Sequence, residues 1–285
     1  MSVPAFLMPV LRVLPKPLKK RLRIIRDHGK RKAIALSYTL PAVQTARSWA
    51  WKEKEVSNFY YALTPDNRDH LIHLISAITG AEYEVIDGYM SELENDASLR
   101  LHLENHLKES RYGDDIEIEY GRRLGWYAIA RVKKPKVLIE TGVDHGVGSC
   151  VLASALLRNA AEGHPGRYYG TEIRPEAGAL FTGEYATVGR ILYGDSIQSL
   201  STFAESIDMF VNDSDHSGEY EYREYQTISE KLAIGAIILG DNAHVTDSLS
   251  RFSRETGRKF VFFSEKPLDH WYPGAGIGIS FLPVR

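Results

Sequence analysis

Cysteine is nearly absent from this sequence: 285 residues contain one, Cys150. A single thiol excludes an internal disulfide framework and a cysteine-based zinc site. It accords with a reducing compartment, so a cytoplasmic location is expected. Also missing is any run of about 18 apolar residues, the length that crosses a bilayer as a helix. The apolar start is broken by Pro4 and Pro9 and followed by Pro15. Most of its charges come after the apolar stretch and no small-residue cleavage site is evident, so it is not read as a secretory signal. Strong net charge is lacking too. A formal charge of −2 excludes a globally basic nucleic-acid binder and an acidic disordered chain. At about 150 residues per domain, the length suggests one or two domains.

The near-neutral total hides an asymmetry. Between Arg12 and Lys32 stand ten Lys/Arg and one acid, Asp27, a net +9 that leaves −11 for the rest. Leu18, Leu22 and Ile25 alternate there with Lys19, Arg23 and Arg26, the pattern of a short amphipathic helix. Residues 1–36 are therefore read as a basic arm. It is either a solvated or frayed helix, or a peripheral contact of residues 12–32 with anionic lipid or a lipid-linked substrate.

Residues 37–121 read as helical. Leu71, Ile72, Leu74, Ile75 and Ile78 recur at helical spacing, with Thr64-Pro65-Asp66 as a start and Gly80 as a stop. A second helix is expected over 96–110. His70, His73, His102 and His106 form pairs at i+3 and i+4, but no third ligand is close in sequence, and solvated helix faces look the same. Tyr60, Tyr61, Trp49 and Trp51 are expected in packing between helices. The region is expected to cover the ligand side or to make an oligomer contact.

From residue 122 to 285 the pattern changes. Apolar β-rich runs at 136–141, 167–172, 190–193, 207–212, 233–240, 259–264 and 276–282 alternate with helical stretches at 147–159, 175–185, 196–203, 219–231 and 245–256. This alternation predicts an α/β fold: a doubly wound, mostly parallel, seven-stranded sheet. The connector before the last strand is short and holds Pro267, Pro273 and Gly274, so that strand is expected to run antiparallel. Ligands of such sheets bind at the carboxyl ends of the strands.

The first strand runs into Glu140-Thr141-Gly142-Val143-Asp144-His145-Gly146-Val147-Gly148-Ser149. Three glycines allow a tight turn and close approach to a ligand, and a helix N-terminus follows. The spacing is neither the dinucleotide fingerprint nor a phosphate loop. The second strand ends at Glu172, where an acid commonly receives ribose hydroxyls. The third leads into Gly194-Asp195-Ser196, which can line an adenine pocket, cap a helix, or both.

In that order these features resemble class I S-adenosylmethionine-dependent methyltransferases, over residues 121–285. The resemblance implies that the glycine turn (Glu140, Gly142, Gly146, Gly148, Ser149) lies under the methionine part of S-adenosylmethionine. It implies ribose at Glu172 and adenine near Asp195 and Ser196, with Asp213 also beside the cofactor.

The fourth strand is followed by Asp213-Ser214-Asp215-His216 and the fifth by Asp241-Asn242. Asp213, Asp241 and Asn242 are hard oxygen donors that suit Mg²⁺ or another divalent cation, or they serve as ordinary turn residues. Asp-Asn after the fifth strand is similar to catechol O-methyltransferases. Asp-x-x-His after the fourth is similar to macrolide-sugar O-methyltransferases, where the matching His is a candidate base. Metal-assisted methylation of a hydroxyl on a sugar or another small hydroxylated metabolite is therefore expected. The hydroxyl proton is taken by His216 or by Asp215, or metal activation serves without a side-chain base. Trp271 and Tyr272 are expected as a pocket wall or a packed loop, and Cys150 as a small buried residue. The other reading is a non-catalytic S-adenosylmethionine-binding protein attached through its basic arm.

Overall fold

A computed structural model describes residues 15–52, 60–107, 118–241 and 243–283. The chain divides into two compact units, Met1–Lys52 and Glu53–Arg285. The first holds helix α1 (Lys16–Trp49), entered through Pro15, with Pro41 inside it and no buried residue. It is much longer than the short amphipathic helix expected, because 33–46 adds an uncharged helical continuation past residue 36. Trp51, expected in packing, is 93% exposed.

The second unit begins with helices α2 (Pro65–Thr79), α3 (Tyr83–Glu94), α4 (Ala97–Leu107) and α5 (Arg123–Lys133). α2 starts after Thr64 and ends at Gly80, whose φ of 75° stops it, as the sequence predicts. His102 bonds the Leu180 carbonyl at 2.7 Å, and His73 lies 3.8 Å from Asp69. Among the described residues no cluster of three His, Cys, Asp or Glu forms.

Strands β1 (Val137–Thr141), β2 (Arg167–Glu172), β3 (Gly189–Tyr193), β4 (Ile207–Asn212), β5 (Leu232–Gly240), β6 (Lys259–Ser264) and β7 (Gly276–Phe281) form one sheet in the order β3-β2-β1-β4-β5-β7-β6. β7 is antiparallel to both neighbours and the other pairs are parallel. Helices α6 (Val147–Ala161), α7 (Ser196–Thr202), α8 (Gly218–Ile228) and α9 (Ser248–Glu255) complete the doubly wound fold.

Alternating strand residues feed two cores. Leu138, Met209, Val211, Ile237 and Leu239 join Trp126 and α6 in one. Ile139, Phe210 and Ile238 join Leu200, Tyr225 and Phe252 in the other. Burial on both faces explains why these strands read as continuous apolar runs.

One expected element does not form. Residues 175–185 make no α-helix; only a 3₁₀ turn, Tyr185–Val188, precedes β3. Gly178 and Gly183 take φ of 80° and 58°, which no right-handed helix allows. The N–H groups of Gly178 and Leu180 are instead spent on the carbonyls of Asp144 and His145, at 2.6 and 3.0 Å. The segment braces the glycine turn rather than coiling on itself.

Register sets the strand ends in one row: Thr141 opposite Asn212, and Asn212 opposite Gly240. The next row is tied by Asp213 N–H to Thr141 O and Asp241 N–H to Asn212 O, both 2.9 Å. At Gly142 (φ 82°) an added Cβ would lie 2.0 Å from the Asp213 carbonyl oxygen. Gly142→Ala is expected to cost about 2–3 kcal/mol and to lower Tm by roughly 5–10 °C, read in a thermal melt.

Candidate active site

The carboxyl ends of β1, β2, β4 and β5 open into a cavity of about 660 Å³. That is a volume typical of small-molecule sites. β1 and β4 are adjacent in the sheet but far apart in sequence, so the cavity lies where the strand order reverses. Its wall contains Glu140, Gly142, Gly146 and Gly148 from the turn after β1, and Glu172, Asp195 and Ser196 from the next two strand ends. Asp213, Asp215, His216 and Asp241 face the same space. Ser149 lies behind this wall, donating its hydroxyl to Glu140 at 2.6 Å. Asn242 falls outside the described residues.

The glycine turn is built for close approach. Gly146 has φ of 99° and starts α6. A Cβ on Gly148 would strike Glu140 Oε1 at 2.4 Å and the Trp126 ring at 2.9 Å. Glu140 accepts hydrogen bonds from Ser149 and Tyr168, yet burial pushes its pKa up to about 7.

Glu172 Oε2 accepts the Asp144 N–H at 2.9 Å, and Oε1 accepts the Arg174 N–H at 2.9 Å and its Nε–H at 3.2 Å. Burial opposes its charge, but these donors together hold its pKa below the ordinary value. Arg174 also reaches Asp144 Oδ1 at 2.6 Å, a clamp across the mouth of the turn. Asp195 caps α7, accepting the Gln198 N–H at 2.8 Å, while still lining the cavity. The two roles left open from sequence are therefore compatible. Ser196 bonds Glu224 and lies 2.9 Å from the Tyr220 hydroxyl.

His216 and Asp215 are exposed at the rim. Asp215 Oδ1 accepts the Ser217 N–H at 2.9 Å, closing a local turn. Tyr272 lines the cavity and Trp271 is 38% exposed beside it.

A family model described as a methyltransferase domain matches residues 139–243. Residues 139–243 are similar to a methyltransferase domain. The match runs from β1 through the residues just after β5, and so includes every strand end that lines the cavity. No curated protein matches. Among solved structures, a methyltransferase from Geobacter sulfurreducens is 16% identical, with a TM-score of 0.49 over 69% of this chain and 96% of that one. The O-methyltransferase TomG from Streptomyces achromogenes, in complex with SAM, is 15% identical, with a TM-score of 0.48 over 67% and 91%. Likenesses this loose transfer neither substrate nor mechanism.

The cavity fits S-adenosylmethionine on its own geometry. Gly142, Gly146 and Gly148 line it, and an acid sits at the end of β2 in a space of suitable size.

The expected divalent-ion site is arranged differently. Arg122 lies bidentate on Asp241: Nη2 donates to Oδ2 at 2.7 Å and Nε donates to Oδ1. Both oxygens a metal would use are thus taken by a cation of the chain itself. Burial works against charge on Asp241, and Arg122 outweighs it, keeping that pKa below the ordinary value. Burial and the facing Asp241 push the pKa of Asp213 well up, while Arg122 and Arg123 pull it down. With both Asp241 oxygens engaged by Arg122, the described donors in this arrangement do not fit Mg²⁺, which needs carboxylate oxygens with free lone pairs.

Several cavity residues escaped the sequence reading. Arg122 Nη1 also donates to the Tyr61 hydroxyl at 2.8 Å, and Tyr61 donates to Glu265 Oε1 at 2.7 Å. Adjacent arginines, Arg122 and Arg123, at the head of an apolar helix were the only signal. Glu224 is buried and gathers Thr141, Ser196, Asn212 and Ser214, knitting three strand ends from behind. Ile173, 71% exposed, gives the cavity an apolar wall beside Glu172.

Glu140 makes stability depend on pH. Its pKa rises on folding from 4.5 to about 7. Below pH 4.5 it is protonated folded or unfolded, and its burial costs no charge. As pH climbs to 7 the unfolded chain releases this proton first, so stability falls by up to about 3 kcal/mol. Urea melts at about pH 5 and pH 8 are expected to show this loss, and Glu140→Gln to show less of it.

Proposed function

We propose that the chain is an S-adenosylmethionine-dependent O-methyltransferase acting on a hydroxyl of a sugar or another small hydroxylated metabolite. The observation that carries this reading is the sharing of one cavity by two sets of residues. The glycine turn, Glu172 and Asp195 form one side, and His216, Asp215 and Tyr272 form the other.

S-adenosylmethionine, when bound, supplies an electrophilic methyl group on a sulfonium, suited to in-line displacement by an oxygen. On the chain's side, Gly142, Gly146 and Gly148 would hold the methionine part and Glu172 the ribose hydroxyls. Asp195 and Ile173 border the base. His216, exposed at the cavity rim, takes the proton of the acceptor hydroxyl. Tyr272 offers a face on which a sugar ring can stack. Asp215 is the competing base, already engaged by the Ser217 N–H.

The divalent ion has no part in this reading, because Arg122 already neutralises Asp241. Acceptor activation then falls to the side-chain base. Labelled S-adenosylmethionine offered with a panel of sugars and catechols tests the reading. Transfer to at least one hydroxyl is expected, with a rate unchanged by chelator. Binding of S-adenosylmethionine without transfer to any member favours the non-catalytic alternative. Abolition by chelator restores the metal. His216→Ala is expected to lower kcat by about 10²–10⁴-fold with cofactor affinity, by calorimetry, nearly intact. Retained turnover excludes His216 as the base.

A further inference from the structure

The methyltransferase chemistry leaves α1 without a task. Leu18, Leu22, Ile25, Leu36, Leu40 and Val43 are separated by three, four or eleven residues, whole numbers of turns, and so form one stripe. Each is 39% exposed or more, and no residue of the helix is buried. Lys19, Arg23, Arg26 and Lys30 follow the same spacing along one flank of the stripe, and Arg21 and Lys32 lie along the other. Asp27 is the only acid in the helix, and Arg26 already holds it at 2.7 Å.

We propose that α1 is an interfacial helix that lies on an anionic lipid surface, its apolar stripe inserted and its basic rows among the headgroups. The proposal does not depend on the methyltransferase reading. A lipid surface presents apolar chains flanked by negative charge, the complement of this helix in both respects. A second copy of α1 packed parallel on the same stripe would set basic rows against basic rows, and packed antiparallel would set them against the uncharged half, with no acid to pair them. The helix lies on the surface rather than crossing it, because no helix of the described residues is long and apolar enough to span a membrane. Along about 1.5 Å per residue, Leu18 to Val43 covers roughly 38 Å of surface. The long Lys and Arg stems can stay against the acyl boundary while their charges reach the headgroups.

Co-sedimentation of the full chain with vesicles tests this. One set is phosphatidylcholine alone; the other contains about one-third phosphatidylglycerol. Binding is expected to the anionic set only, and to weaken as salt is added. Leu22→Ala with Ile25→Ala, and separately Lys19→Gln with Arg23→Gln, keep good helix formers and touch nothing buried. Each pair is expected to lower partitioning about tenfold or more, with the thermal melt unchanged. Equal binding to both vesicle sets, no binding to either, or binding unaltered in both variants overturns the proposal. So does a lipid-free dimer that the Leu22→Ala/Ile25→Ala pair dissolves, which assigns the stripe to a second copy.

Discussion

The Arg122 guanidinium, spread across both oxygens of Asp241, is the contact on which the site depends. It reaches from the head of α5 to the end of β5, and through Tyr61 and Glu265 to the connector between β6 and β7. Three parts of the fold that share no local sequence meet at one planar cation. The pair is nearly buried, at 13% and 4% side-chain exposure. Removing one partner of such a pair leaves the other charge uncompensated, a loss of about 3–5 kcal/mol. The same contact sets the chemistry of the cavity. It favours the charged form of Asp241 and sets a positive charge from within the chain at the strand ends.

The remaining carboxylates divide by what surrounds them. Glu224 and Glu221 are buried and consumed by hydroxyl and amide donors; Glu224 holds the strand ends together, and Glu221 ties α8 to Thr246. Glu140 sits between these roles, buried and bonded yet on the cavity wall. Glu172 faces the ligand space while held by Arg174 and the Asp144 N–H. The negative balance of the chain outside its basic arm is thus an internal framework as much as a surface charge.

The strand ends were legible because a sheet buried on both faces leaves unbroken apolar runs, and each run stops where the backbone leaves the core. β2, β4 and β6 fall on the residues the pattern marked. The missing helix at 175–185 was not legible, since its backbone partners are Asp144 and His145, some thirty residues back in the chain. Nothing in the periodicity of that segment reports such a partner. Trp51 misled for the opposite reason: an aromatic ring suggests burial, but among the described residues nothing buries it and it is 93% exposed.

By itself the sequence determined the alternation of strands and helices, the turn after β1, the acids at the strand ends and the basic stripe of α1, because each depends on residues close together in the chain. Only the tertiary structure decided what those acids do. Arg122 and Asp241 stand 119 residues apart, and a carboxylate offered to a metal reads the same in sequence as one held by a guanidinium. Which cation it receives is settled by packing α5 against the sheet, a long-range event with no local signature.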